Sequence, residues 1–293
     1  MKHEVDLQKY SIYTDLALES IKINKINKYD KKSIKYKDVN VTKLFVDKKL
    51  SKKINKKEGN YTTIEFNDIT DSLNQNRLIK VLKNELSKFI NVSKKDLILI
   101  VGLGNEQSTP DSLGPKCIDN IIATNQLYDL NILDNNHYRV ATFKPSVYGR
   151  TGIETSDIII SICKKIKPSL VIIIDSLASG SIDRLNKTIQ ITDTGISPGS
   201  GIGNKRKEIS DKSINTNVLA LGVPTVVSEY NILYEILVNN DLDTNSILDY
   251  VINNDKYNLV VTPTEIDFII DCLSKVIYTA LNELFSDKIS KSK

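Results

Sequence analysis

Residues 97–105 read Leu-Ile-Leu-Ile-Val-Gly-Leu-Gly-Asn, five apolar residues without a break and then a glycine-punctuated turn. A strand with one wet face alternates polar and apolar residues, whereas an uninterrupted apolar run is buried on both sides. A second such run, Leu170–Ile174 (LVIII), ends at Asp175. Thr188–Ile191, Val218–Leu221 and Leu259–Val261 are further candidate strands, and Tyr61–Phe66 (YTTIEF) joins them by its β-branched and aromatic content. Leu78–Phe89, Leu113–Ala123, Glu154–Ile166, Val226–Val238 and Thr264–Leu284 carry helical spacing. Short apolar strands alternating with helices predict an α/β fold, its sheet covered by helices on both faces. No internal repeat is visible, and no linker separates two folding units.

Composition narrows the chemistry. The 293 residues are 40% hydrophobic and 26% charged, an ordinary globular balance that argues against disordered, collagen-like and disulfide-scaffold classes. Cys117, Cys163 and Cys272 lie far apart with no CxxC, which reads as reduced thiols packed in helices of a cytosolic protein. No apolar run approaches the roughly 20 residues that span a bilayer. The opening MKHEVDLQKYSIYTDL has no apolar core of a signal peptide. The only histidines are His3 and His137, so Ser–His–Asp, Cys–His and multi-histidine zinc chemistry are poorly supplied. Residues 22–57 hold 14 lysines against Asp30, Asp38 and Asp47, a local net of +11 where the whole chain has +4. That run is either a nucleic-acid patch or the solvated face of a protein with 35 lysines and 5 arginines. Without aromatic interleaving or an arginine cluster, no direct nucleic-acid role is favoured.

Three stretches concentrate the residues that could do chemistry. Gly102-Leu-Gly104-Asn105 leads into Thr109-Pro-Asp111-Ser-Leu-Gly-Pro115 at the carboxyl end of a buried strand, where open α/β sheets bind ligands. Asp111 is either the N-cap of a helix starting near Leu113 or an active carboxylate. Asp175 closes the second run, and a carboxylate there is costly to bury unless hydrogen-bonded or functional. If the two strands are neighbours, both carboxylates face one cleft, one with its pKa pushed up, and the pair can activate water. The third stretch, Asp193 to Arg206 (DTGISPGSGIGNKR), has four glycines in nine residues, so its amides can approach a ligand closely. Gly104, Asn105, Thr194, Gly195, Gly199, Gly201, Lys205 and Arg206 are thus candidates for substrate binding or oxyanion stabilisation. Pro145–Thr155 and Gly222-Val-Pro-Thr-Val-Val227 read as turns entering helices.

Together these stretches resemble the germination protease family. The matching segments run in order along the chain: YTDLALE (13–19), GLGN…TPDSLGP (102–115), YGRTGIET (148–155), IDSLAS (174–179), TIQITDTGISPGSGIGNKR (188–206), LGVPTVV (221–227) and VTPTEID (261–267). The resemblance implies an endopeptidase that begins the degradation of small acid-soluble DNA-binding spore proteins in the spore core. It also implies a homotetrameric, self-processing zymogen. The family's proposed catalytic aspartates fall on Asp111 and Asp175. The implied fold is a three-layer α/β/α arrangement around a mixed sheet, phosphorylase- or hydrolase-like and similar to the hydrogenase-maturation proteases. Those hold a metal between acidic positions and a histidine. With histidine so scarce here, we expect a metal-independent, aspartic-type mechanism without cofactor or membrane partner.

The family's cleavage pattern places the propeptide bond between Asp15 and Leu16. That gives a propeptide of residues 1–15 and one protease domain of residues 16–293, in which a basic part (16–92) precedes a catalytic core (93–293). The alternatives are a phosphorylase or peptidyl-tRNA-hydrolase relative of the same fold, and a nucleic-acid-binding module built on residues 22–57. Five arginines are few for a phosphate pocket, which weighs against the phosphorylase.

Overall fold

A computed structural model describes residues 9–133, 137–202, 206–254 and 259–285. Its strands are β1 (Lys31–Tyr36), β2 (Val39–Val46), β3 (Gly59–Glu65), β4 (Leu97–Gly102), β5 (Arg139–Phe143), β6 (Leu170–Ser179), β7 (Thr188–Thr192), β8 (Asn217–Ser228) and β9 (Val260–Val261). Helices α1 (Ala17–Ile23), α2 (Lys48–Ile54), α3 (Ser72–Ser87) and α4 (Leu113–Ile118) fall in the first half. They are followed by α5 (Asn125–Asp129), α6 (Tyr148–Thr151), α7 (Thr155–Ile166), α8 (Asp211–Ile214), α9 (Glu229–Asn239), α10 (Thr244–Asn254) and α11 (Ile266–Phe285). The strands form one mixed sheet in the order β1-β2-β3-β7-β8-β6-β4-β5, with β9 beside β8. Pairs β4–β5, β4–β6 and β6–β8 are parallel and the others antiparallel.

The apolar runs behave as a doubly covered sheet requires. Ile98, Ile100, Ile172 and Ile174 point to the layer containing α3, α4 and α11. Leu99, Val101, Val171 and Ile173 point to the opposite layer with Ile159 and Cys163 of α7 and Ile214 of α8. Alternate residues serving alternate layers make an α/β/α sandwich from an uninterrupted apolar run. Cys117, Cys163 and Cys272 sit unbridged and buried in α4, α7 and α11, and burial pushes the Cys163 thiol up to about 11. The N-terminal part adds two smaller clusters. Ala17 and Ile21 of α1 pack on Leu44, Val46, Leu50 and Tyr61, while Tyr10 and Ile12 pack against Tyr230, Leu237 and Leu248 of α9 and α10.

Several boundaries differ from the sequence reading. Leu113–Ala123 is helical only to Ile118, and Val226–Ser228, expected in a helix, ends the long strand β8. Gly222–Val227 is accordingly strand rather than turn. Pro224 is accommodated next to an irregularity in the β6–β8 pairing at Leu177/Ala178, where a missing amide donor costs little. The basic part, expected to carry extra strand and helix elements, folds over the lysine run as β1, β2 and α2. There the apolar residues Val39, Val41, Leu44 and Val46 supply the buried faces.

Candidate active site

The site forms where β4 ends and β6 does not. β4 pairs with β6 as far as Gly102–Ile174, and the Leu103 amide still donates to the Ile174 carbonyl at 2.8 Å. From there β6 runs on through Asp175 to Ser179 beside β8. Asp175 is therefore within a strand, not at its end as the sequence suggested. It stands at the crevice left by the shorter neighbour. α4 returns tightly over this point. A Cβ on Gly114 would lie 2.2 Å from the Leu103 carbonyl oxygen and 2.7 Å from that of Ile174, so only glycine lets the helix sit there.

Asp111 closes the short 3-10 turn Thr109–Asp111, and the N-cap of α4 is Ser112. The capping role considered for Asp111 is thus not the one it plays. Instead the Asn105 amide donates to both the Asp111 carbonyl (2.9 Å) and its Oδ2 (2.9 Å). Gly104, at φ +118, turns the loop beneath it; a Cβ there would meet the Asp111 carbonyl at 2.0 Å. Gly104 and Asn105 accordingly shape and hold the Asp111 carboxylate. Burial pushes its pKa up to about 6, with the Asn105 amide pulling the other way. Asp175, 5% exposed, accepts the Ser176 amide at 2.9 Å. Burial first, then the charges of Asp111 and Asp15, raise it well above the usual carboxylate range. The two predicted aspartates are brought together and are electrostatically coupled.

The third carboxylate near Asp175 arrives from the start of the chain. Residues 13–17 lie across the carboxyl half of β6, in a trough whose floor the strand register defines. Asp175 pairs with Gly222 on β8, and Gly222 pairs with Gln190 on β7. Paired residues share a face, so Asp175 and Gln190 stand on one side about 10 Å apart, two strand spacings, with a glycine between them. The Gln190 amide bridges the segment: Nε2 donates to the Asp15 carbonyl at 3.1 Å and Oε1 accepts the Ala17 amide at 2.8 Å. The Asp15 amide donates to the Ala178 carbonyl at 3.0 Å. Asn231 Nδ2 donates to the Tyr13 carbonyl at 2.6 Å and Lys56 Nζ to that of Thr14 at 2.7 Å. Leu16 and Ala17 are fully buried. Glu19 is buried too and accepts from the Thr14 and Ser179 hydroxyls and the Gly180 amide.

The other sequence candidates divide. Gly201 lies against Asp15, where a Cβ would meet its Oδ2 at 2.3 Å. Gly199, at φ +71, turns the same loop. The Thr194 hydroxyl is engaged by Tyr61 (3.1 Å) and Thr192 (3.0 Å), and Gly195 at φ +77 packs on the Ile209 carbonyl; these two build the turn. Asp193 accepts from Asn60. Arg206 stacks on Tyr148 at 4.9 Å. Lys205 lies outside the described residues. Sequence reasoning missed Gln190, Ala178, Ser200, Lys56 and Glu19. The one signal was a glutamine amid the apolar TIQIT strand, where a buried amide needs partners.

Among the described residues, no group of three or more His, Cys, Asp or Glu is arranged to hold a metal, and no helix is long and apolar enough to cross a membrane. A cleft of about 890 Å³ lined by Lys31, Lys43 and Lys88 contains neither Asp111 nor Asp175. The trough beside them is filled by the chain itself.

The model of the germination protease family matches residues 11–238. The germination proteases of Bacillus cereus (strain ATCC 10987 / NRS 248) and Bacillus thuringiensis subsp. konkukian are each 42% identical over 247 residues, 79% of this chain and 67% of theirs. That of Bacillus cytotoxicus is 41% identical over the same shares. Among solved structures, the NiFe hydrogenase maturation protease HycI from Thermococcus kodakarensis KOD1 matches 68% of this chain and 99% of its own, at 14% identity and a TM-score of 0.35.

Proposed function

Because the chain belongs to the germination protease family, we propose that it is a two-carboxylate endopeptidase that first cuts itself between Asp15 and Leu16 and then small acid-soluble spore proteins. The observation that carries this reading is the coupled pair Asp111 and Asp175 beside a trough already holding the chain's own Asp15–Leu16 bond. Burial and the neighbouring acidic charges favour the protonated form of Asp175, while Asp111, at about 6, is largely ionised at neutral pH.

In this mechanism the Asp111 carboxylate removes a proton from water as the oxygen attacks the scissile carbonyl carbon. Protonated Asp175 and the Gln190 amide donate to the carbonyl oxygen as charge builds on it. The tetrahedral intermediate collapses with the Asp175 proton going to the leaving amine. Proton transfer within the carboxylate pair then restores the starting state. Every proton is handled by this chain's own residues, so activity is expected to persist in chelator.

Incubating wild-type, Asp111→Asn and Asp175→Asn protein with a small acid-soluble spore protein, read by intact mass, tests the assignment. Loss of at least ~1000-fold in rate is expected for either variant, with the N-terminus left uncut. Near-normal cleavage by either variant removes that residue from the mechanism, and abolition by chelator removes the metal-free reading. Light scattering of the intact protein should give four times the 32.9 kDa chain mass if the assembly is the homotetramer. In this reading the enzyme works in the spore core.

A further inference from the structure

Glu19, 2% exposed, is a buried carboxylate with no part in the mechanism above. Its Oε1 accepts the Ser179 hydroxyl at 3.0 Å, and its Oε2 accepts the Gly180 amide and the Thr14 hydroxyl. The same Thr14 oxygen accepts the Leu16 amide at 3.0 Å. One hydroxyl thus links a buried backbone nitrogen to a buried carboxylate, and it stands on the far side of the Asp15–Leu16 bond. Burial raises the Glu19 pKa, while its hydrogen bonds and the charge of Arg184 lower it. The cations whose charge reaches Glu19 are engaged with other groups. Arg184 Nε donates to Glu65 at 3.0 Å, and Lys56 Nζ donates to the Thr14 carbonyl at 2.7 Å.

Hydrolysis of the Asp15–Leu16 bond changes both ends of this link at once. Water adds its hydroxyl to the Asp15 carbonyl carbon and the C–N bond breaks. The Leu16 nitrogen leaves as an amine, which takes up a further proton from solvent near neutral pH. Residues 1–15 then carry Thr14 away, so Glu19 loses a donor and the Leu16 nitrogen loses its acceptor. The nitrogen itself stays held. The Leu16 carbonyl accepts the Ser20 amide at 3.1 Å and the Ser20 hydroxyl at 3.2 Å. The Ala17 amide remains on Gln190, and both Leu16 and Ala17 are fully buried. A buried cation without a partner is strongly unfavourable. Leu16 precedes the first residue of α1 and Glu19 follows three positions later, a spacing at which the side chain reaches back to that nitrogen.

We propose that the α-ammonium created at Leu16 by the cut pairs with Glu19 in the place left by the Thr14 hydroxyl, and that this buried pair holds α1 against the sheet in the processed protein. The inference rests on the self-cut proposed above. It adds what the cut does to the part that remains. The reaction supplies a cation to an acid already buried beside it, and Ala17 and Ile21 keep their packing on Leu44, Leu50 and Tyr61.

Two preparations of the chain beginning at Leu16 separate this inference from the reading beneath it. One is the self-processed protein. The other is an Asp111→Asn chain released at Leu16 from an N-terminal fusion by an added protease, which needs no activity of the chain itself. A wild-type chain that never cuts itself would sink the peptidase reading alone, and the released chain would still report on the pair. In each, cyanate labels the Leu16 amine and peptide mass gives the rate at pH 8. A paired ammonium gives up its proton less readily, so labelling should be at least ~10-fold slower than in urea. Glu19→Gln should recover most of that factor. Labelling as slow in Glu19→Gln as in wild type would reflect burial alone and overturns the pair. The second measurement places one glycine before Leu16 in the released chain, which moves the ammonium off Glu19 and keeps every side chain. The unfolding midpoint at pH 7 should fall by ~3 °C or more. An amine whose folded pKa is raised contributes its stability below that value and loses it as pH rises through it, so the gap should close by about pH 10. Equal midpoints at pH 7 overturn the proposal, with Lys56 or water as the partner of Glu19, and this holds even if Glu19→Gln does not fold.

Discussion

Asp175 shares its face of β6 with Ile173 and Leu177, and the charged groups that act on it, Asp111 and Asp15, are both acidic. Burial and those two acidic charges all favour its neutral form. Asp111 is half-buried and keeps one amide donor, which leaves it the more acidic of the two. The kcat/KM of the processed enzyme should therefore fall about tenfold per pH unit below about 6, as the Asp111 base is protonated. A profile flat from pH 5 to 7 would remove Asp111 as the base. The same shift has a thermodynamic side. A carboxyl whose folded pKa is raised stabilises the fold fully below its unfolded value, about 3.9. That contribution is lost as pH rises through the folded value, because ionisation then favours the unfolded chain. Asp175→Asn, made on an Asp111→Asn background so that the chain stays uncut, should raise the unfolding midpoint at pH 7 by ~2 °C or more and change it little at pH 3.5. Equal midpoints at pH 7 would mean that Asp175 is not held neutral.

At the scale of elements, what the sequence discloses depends on how local the cause is. The runs LILIV and LVIII mark β4 and β6 because burial on both faces is written into each residue. The turn glycines beside Asp111 and the two carboxylates are legible for the same reason. The length of β6 is not legible: its last five residues, DSLAS, look like a loop, and they are strand only because β8 runs alongside. β1 and β2 hide under lysines, since a hairpin at the sheet edge needs only one apolar face. Gln190, Ser200 and Lys56 become site residues through contacts with Asp15 or its neighbour that lie 42 or more positions away along the chain, a separation no periodicity encodes. The tight seam between α4 and the β4–β6 pair gives a test at this scale. Gly114→Ala would set a methyl carbon against the Leu103 and Ile174 carbonyl oxygens. Backbone cannot swing aside as a side chain can, so the cost should be at least ~1–3 kcal/mol. Thermal unfolding should show a fall of several degrees, with activity lost as α4 and the Asp111 turn shift. An unchanged midpoint would mean that the helix sits looser than this seam.

For the molecule as a whole, the N-terminal residues act as a strap across elements that lie far apart in the sequence. Tyr10 and Ile12 are buried against α9 and α10, Asn231 of α9 holds Tyr13, Lys56 after α2 holds Thr14, and β6, β7 and the Ser200 turn hold Asp15. From Leu16 onward the chain belongs to the core, since Leu16, Ala17 and Ile21 are almost wholly buried. A cut between Asp15 and Leu16 would therefore leave the buried apolar residues of α1 in place and release Thr14, whose hydroxyl donates to Glu19. The released part is not energetically neutral. Burying Tyr10 and Ile12 contributes roughly 1.5–3 kcal/mol each by area alone, offset in part by the entropy of ordering the segment. An Asp175→Asn chain, full length and uncut, should thus unfold several degrees above the same variant lacking residues 1–15. It should also resist added protease within residues 9–16. The basic run should contribute little to that difference, because its lysines are spread over β1, β2 and α2 and several are already paired, Lys43 with Glu85 and Lys57 with Glu208. Raising salt to 0.5 M, where exposed charges are screened within about 4–5 Å, should leave the gap between the two chains nearly intact. A gap that closes with salt would mean that charge rather than apolar burial holds the strap, and would move the explanation from Tyr10 and Ile12 to Lys56 and Asp15.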